Sequence, residues 1–108
     1  MSFFNFVSKE EQLYLESKDN RKMLTSEWNK KGVSNYGKLT THEYYILFND
    51  TNALKRKLNY FEIIILSMCD KTEAEKLMKI HSTMSEDELI VSIRDTARRV
   101  LKEFSSAD

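Results

Sequence analysis

The chain has 108 residues, 41% hydrophobic and 31% charged, which fits one domain able to bury roughly 65% of its unfolded surface and excludes a disordered tail. Its 17 basic and 17 acidic side chains cancel, so no global field draws it to phosphate backbones or anionic membranes. The single cysteine, Cys69, excludes an internal disulfide and fits a reducing, cytoplasmic setting.

Two glycines and no proline leave the chain without the residues that build hairpin turns and barrel corners, which argues against an all-β fold. Four pairs have capping-box spacing at or just before apolar-periodic runs: Ser8 with Glu11, Thr40 with Glu43, Asp70 with Glu73, and Ser85 with Glu88. Each predicts a helix start, because the two side chains satisfy each other's backbone N–H groups.

Residues 1–7 form an aromatic segment with Phe3, Phe4 and Phe6; without a basic flank or a small-residue cleavage site, they are not expected to be a signal peptide. A first helix is predicted over 9–31 and stopped by Gly32. Its apolar stripe, Leu13, Leu24 and Trp28, is thin, and Ser17 and Asn20 interrupt it, which predicts a bend or two pieces around 17–20. A loop is expected over 32–39. From Thr41 the chain turns apolar and aromatic until Asn49, Asp50, Thr51 and Asn52, residues that favour caps and turns and predict a break.

Leu54, Leu58, Phe61, Ile65 and Met68 then recur at helical spacing and predict a central helix. The β-branched and aromatic bias of 60–66 also permits a strand paired with 33–36; the upstream seam favours helix. Asp70 is expected to start a separate short helix carrying Ala74, Leu77, Met78 and His81. After Ser85, Leu89, Ile93, Ala97, Val100, Leu101 and Phe104 form the most continuous apolar face. The longest apolar run, 63–68, is far short of the roughly 20 residues of a bilayer span. The prediction is an all-α, compact bundle of four or five helices in a single domain, 1–108, with the helix at 54–68 central, the last helix packed on it and antiparallel neighbours.

Chemistry-bearing patterns are sparse. Two isolated glycines cannot cradle a phosphate, and His42 and His81 lack companions at metal-ligand spacing, so no catalytic, metal or cofactor site is expected. Cys69 sits in an apolar run and reads as core. Glu10 with Glu11, and Glu86 with Asp87 and Glu88, complement helix dipoles rather than forming acid–base pairs.

Two sets of residues are candidates for binding. The basic set is Lys55, Arg56 and Lys57 with Arg94, Arg98, Arg99 and Lys102; Arg94, Arg98 and Lys102 share a helical face that could meet phosphates. A solvated face explains them better, since the macrodipole favours cations late in a helix. The ending Ala97-Arg98-Arg99-Val100-Leu101 resembles helix-turn-helix proteins, notably region 4 of sigma factors. However, 78–87 exceeds the tight turn of such motifs and holds no glycine, so membership is not inferred. The aromatic set is Phe3, Phe4, Phe6, Trp28, Tyr36, Tyr44 and Tyr45, balanced between core and a protein-binding surface.

The favoured expectation is a non-catalytic regulator, adaptor or inhibitor that binds a larger cytoplasmic protein. The alternatives are a DNA-binding regulator using the basic last helix, and a homodimer or other self-associating bundle sharing Leu54, Leu58, Phe61 and Ile65. Abundant lysine and asparagine with no proline suggest an AT-rich source such as a bacterium, phage or plasmid.

Overall fold

The computed structural model describes residues 9–50 and 56–106. Among them are four α-helices and no strand: α1 (Lys9–Lys30), α2 (Tyr36–Phe48), α3 (Tyr60–Met78) and α4 (Glu86–Ser106), the all-α bundle predicted from the pattern. None is long and apolar enough to cross a membrane.

α1 runs unbroken through 17–20. The Ser17 hydroxyl donates to the Tyr14 carbonyl at 2.7 Å within the helix, and the Asn20 amide donates to Ser67 Oγ of α3 at 2.7 Å. The polar residues that interrupt the apolar stripe therefore satisfy backbone or interhelical bonds and do not bend the helix. α1 ends as expected: Gly32 adopts φ 99°, with Gly32 N–H donating to Asn29 O and Val33 N–H to Trp28 O, the paired bonds of a Schellman motif. Buried Val33 and Trp28 belong to the same core cluster.

The loop expected over 32–39 is shorter. α2 begins at Tyr36 because Asn35, not Thr40, is its cap and accepts from Lys38 N–H; Thr40 and Glu43 lie inside the helix and reach across to α1. α2 stops at Asn49, which takes φ 51°, within the cluster of Asn and Asp that predicts the break.

α3 starts at Tyr60, not near 54, on a capping box of Asn59 and Glu62. It passes through Asp70 and Glu73 to Met78, so the predicted central helix and the short helix after it are one. Asp70 and Glu73 are not caps; their side chains are 1% and 0% exposed and are spent on neighbouring helices. This also displaces the predicted seam. Ile65 is buried, but Phe61 is 58% and Met68 40% exposed, while Leu66, Cys69, Ala74 and Leu77 join the acids on the inward face. α4 opens on the predicted box, with reciprocal Ser85–Glu88 bonds of 3.1 Å, and buries Leu89, Ile93, Ala97 and Val100.

Consecutive helices are antiparallel, as short connections require: Arg21 with Glu43 and Trp28 with Tyr36 set α1 against α2, and Phe61 with Phe104 and Glu73 with Thr96 set α3 against α4. The principal packing is different. α1 lies mainly on α3 and α2 on α4, and the α1–α3 pair is parallel, with Arg21 meeting Asp70 and Lys31 meeting Ile80 at a constant separation of 49 residues. Leu24 and Trp28 of α1, Leu39 of α2, Leu77 of α3 and Leu89 and Ile93 of α4 are fully buried, each contributing about 1.5–3 kcal/mol of burial.

Candidate functional site

The parallel packing of α1 on α3 brings together side chains that no local pattern connects. On α1, Tyr14, Ser17, Arg21, Leu24 and Trp28 follow one another at helical spacing, so Arg21 shares the face that buries Leu24 and Trp28. Its guanidinium donates to Glu43 Oε1 at 2.6 Å, to Asp70 Oδ1 at 3.1 Å and to the Thr40 hydroxyl, and it lies 5.1 Å from the Trp28 ring centroid.

Two carboxyl groups, 0% and 1% exposed, thus share one cation. Burial raises the Asp70 pKa well above the ordinary carboxylate range, and the charge and hydrogen bond of Glu43 add to it, outweighing Arg21. For Arg21, burial opposes the charge, but Glu43 and Asp70 more than compensate and hold the guanidinium protonated. Burial, with Glu43 and Asp70 beside it, also pushes the Cys69 thiol far up, so it is no nucleophile at neutral pH. Nearby, Glu73 accepts from the Thr96 hydroxyl at 2.6 Å.

This network floors a cleft of about 370 Å³ between α1 and α3. Tyr14, Tyr44, Leu58, Ile63 and Leu66 wall it, Lys18 and Lys57 stand on its rim, and Arg21 and Asp70 close its inner end. The cleft continues outward into a broader groove of about 950 Å³ that shares Tyr14, Lys57, Leu58 and Ile63 and extends to Leu13, Asn59, Tyr60 and Glu11. Tyr14 and Tyr60 are each 51% exposed there, and the Lys18 ammonium sits 4.7 Å over the Tyr14 ring.

Chemically the arrangement is an apolar trough with a polar end. Arg21 is committed to two carboxyl groups, and the hydroxyl–carboxylate pair of Thr96 and Glu73 is buried outside the lining of the cleft. Among the described residues no group of three His, Cys, Asp or Glu is placed to hold a metal. His42 is half-buried on α2, and His81 is exposed in the α3–α4 connection.

The predicted candidates scatter. Phe3, Phe4, Phe6 and Lys55 lie outside the described residues. Trp28 is a correction: it is 0% exposed and packs on Tyr36 at 6.0 Å, so it anchors the core and presents no surface. Tyr44 walls the cleft and meets Phe48 edge-on at 5.4 Å; Tyr45 is half exposed on α2.

Of the basic set, Arg56 is held by Glu62 at 2.6 Å and Asp50 at 3.3 Å, and Lys57 stands on the cleft rim. Arg98 lies 3.9 Å from Asp95, Arg94 is half-buried, and Arg99 and Lys102 are exposed beside the exposed Glu103. α3 and α4 lie side by side from Phe61–Phe104 to Lys76–Ser92, unlike the steep crossing of a helix-turn-helix pair.

Sequence reasoning missed Tyr14, Lys18, Arg21, Tyr60 and Ile63, and it placed Leu58 on a self-association seam rather than at this cleft. The regular spacing of Tyr14, Ser17, Arg21, Leu24 and Trp28 was the available signal, masked because its middle is polar. Comparison with protein-family models, curated proteins and solved structures finds no match to this chain.

Proposed function

We propose that this chain acts by binding another protein, as an adaptor, inhibitor or regulatory subunit without catalysis of its own, and that the α1–α3 groove is the contact surface. The observation that carries the reading is the pair of half-exposed tyrosines, Tyr14 and Tyr60, on an apolar groove that opens to solvent. Tyrosines with a solvent-facing hydroxyl and an apolar body anchor protein interfaces. The polar groups at the inner end bind one another, which favours holding an apolar side chain over activating a substrate.

The DNA-binding alternative has less support, since Arg56 is neutralised and α4 interleaves its cations with Asp95 and Glu103. Self-association through the predicted seam has less support too, because Ile65 is buried within the fold and Phe61 packs on Phe104.

The test compares retention of lysate proteins by the immobilised wild-type chain and by the Tyr14→Ser/Tyr60→Ser variant, with and without nuclease. The expected result is one stoichiometric protein that survives nuclease and is retained at least tenfold less by the variant, whose circular dichroism is unchanged. Equal retention by both chains, loss of every retained protein on nuclease treatment, or a turnover activity abolished by changing one side chain would refute it.

A further inference from the structure

The rim of the groove bears on what kind of partner it receives. Lys18 on α1 and Lys57 just before α3 line the cleft with the apolar walls Tyr14, Leu58 and Ile63. Among the described residues neither is in an ion pair, whereas Arg21 of the same lining is committed to Glu43 and Asp70, and the adjoining Arg56 to Glu62 and Asp50. Among the described lining residues the acids are Glu11 at the outer end and Asp70 at the inner end, and burial raises the Asp70 pKa well above the usual carboxylate range. Lys18 on α1 and Lys57 before α3 thus place one positive charge on each side of a mostly apolar inner cleft.

Shape narrows the occupant further. From Glu11 to Arg21 the groove follows α1 for about 15 Å at 1.5 Å rise per residue, the length of roughly three helical turns. One wall is α1 and the other is the approach to α3 at 57–59 with its first turn, where Lys57 O, Asn59 N–H and Asn59 O are already bonded to Arg56, Glu62 and Ile63, so an extended strand finds no sheet edge among the described residues, and recognition falls to side chains, as when an amphipathic helix lies in a groove.

Building on the protein-binding reading, we infer that the groove receives an acidic amphipathic helix of the partner, its apolar ridge against Tyr14, Leu58, Tyr60 and Ile63 and its carboxylates against Lys18 and Lys57. Exposed charge pairs of this kind are screened by salt, and they set orientation and partner choice more than raw affinity.

The probe is a displayed library of helical 15-residue peptides selected on the whole chain, with the lysate partner measured in parallel. The expected result is enrichment of peptides with glutamate or aspartate flanking apolar anchors at i, i+4 and i+7. Their affinity falls at least tenfold in Lys18→Glu/Lys57→Glu, and selection on that variant turns to basic flanks. Both lysines are exposed, so thermal unfolding of the variant stays close to wild type. Enriched peptides that depend on Tyr14 and Tyr60 but show no acidic excess, or that bind the charge-reversed chain equally, overturn the inference and leave the protein-binding reading standing. So does a lysate partner that needs both tyrosines when no helical peptide is enriched. If neither peptide nor lysate protein depends on the tyrosines, both ideas fall.

Discussion

Replacing Arg21 by methionine tests the buried network most directly. Methionine keeps much of the aliphatic stem and removes only the cation, so packing against Trp28 and α3 is largely conserved. What remains is Glu43 at 0% and Asp70 at 1% exposure with no opposing charge. Removing one partner of a buried ion pair costs about 3–5 kcal/mol, a large share of the roughly 5–15 kcal/mol that holds a domain folded. At about 5 °C per kcal/mol for a domain of this size, Tm falls by about 15–25 °C near pH 7.5. The deficit has a pH signature, because Asp70 already has a raised folded pKa and loses the one group that lowers it. Its neutral form then carries the folded state, so the deficit narrows as pH falls and widens as pH rises. Thermal melts of both proteins followed by circular dichroism from pH 5 to 8 read this out, and Arg21→Met/Asp70→Asn should regain part of the loss. A deficit under about 5 °C, or one that is the same at every pH, would refute the view that Arg21 holds the carboxyl pair in the core.

Asp70→Asn alone should leave the fold intact, since asparagine mimics the neutral acid, accepting from Arg21 and donating to Glu43. A raised folded pKa means that the stabilisation from Asp70 is fully present below about pH 4, its unfolded value, and is lost as pH rises through the folded pKa. The variant should therefore match or exceed wild-type Tm at pH 8 with a flatter profile; a drop that grows with pH contradicts this. Gly32→Ala meets no atom within 4 Å but must hold φ +99°, so it should cost about 1 kcal/mol, seen as a Tm lower by about 5 °C; an unchanged Tm would count against the Schellman stop. Cys69, fully buried with its thiol pKa raised, should react with a thiol reagent only at the rate of unfolding, and rapid labelling of folded protein would show that the site opens locally.

Some features were legible one turn at a time. The Ser85–Glu88 box, the Gly32 stop, the break at Asn49 and the inward face of α4 follow from chemistry within a few residues, and the structure has each of them. Asn35 and Asn59 were missed as caps because Thr40–Glu43 and Asp70–Glu73 offered the same spacing. Spacing does not say whether an acid turns back to its own helix or across to another.

The sequence alone determined that the chain is helical, that it lacks the punctuation of a β fold, and that its last helix buries one apolar face, because these depend on local propensity and periodicity. Tertiary structure alone decided which polar residues went inside. Asp70 and Glu43 become core residues only because α1 packs parallel to α3 and delivers Arg21 from 49 and 22 residues away. Burying a carboxyl group is tolerable only with a partner; once Arg21 arrives, Glu43 of α2 and Asp70 of α3 can face inward, and the groove opens beside them between α1 and α3.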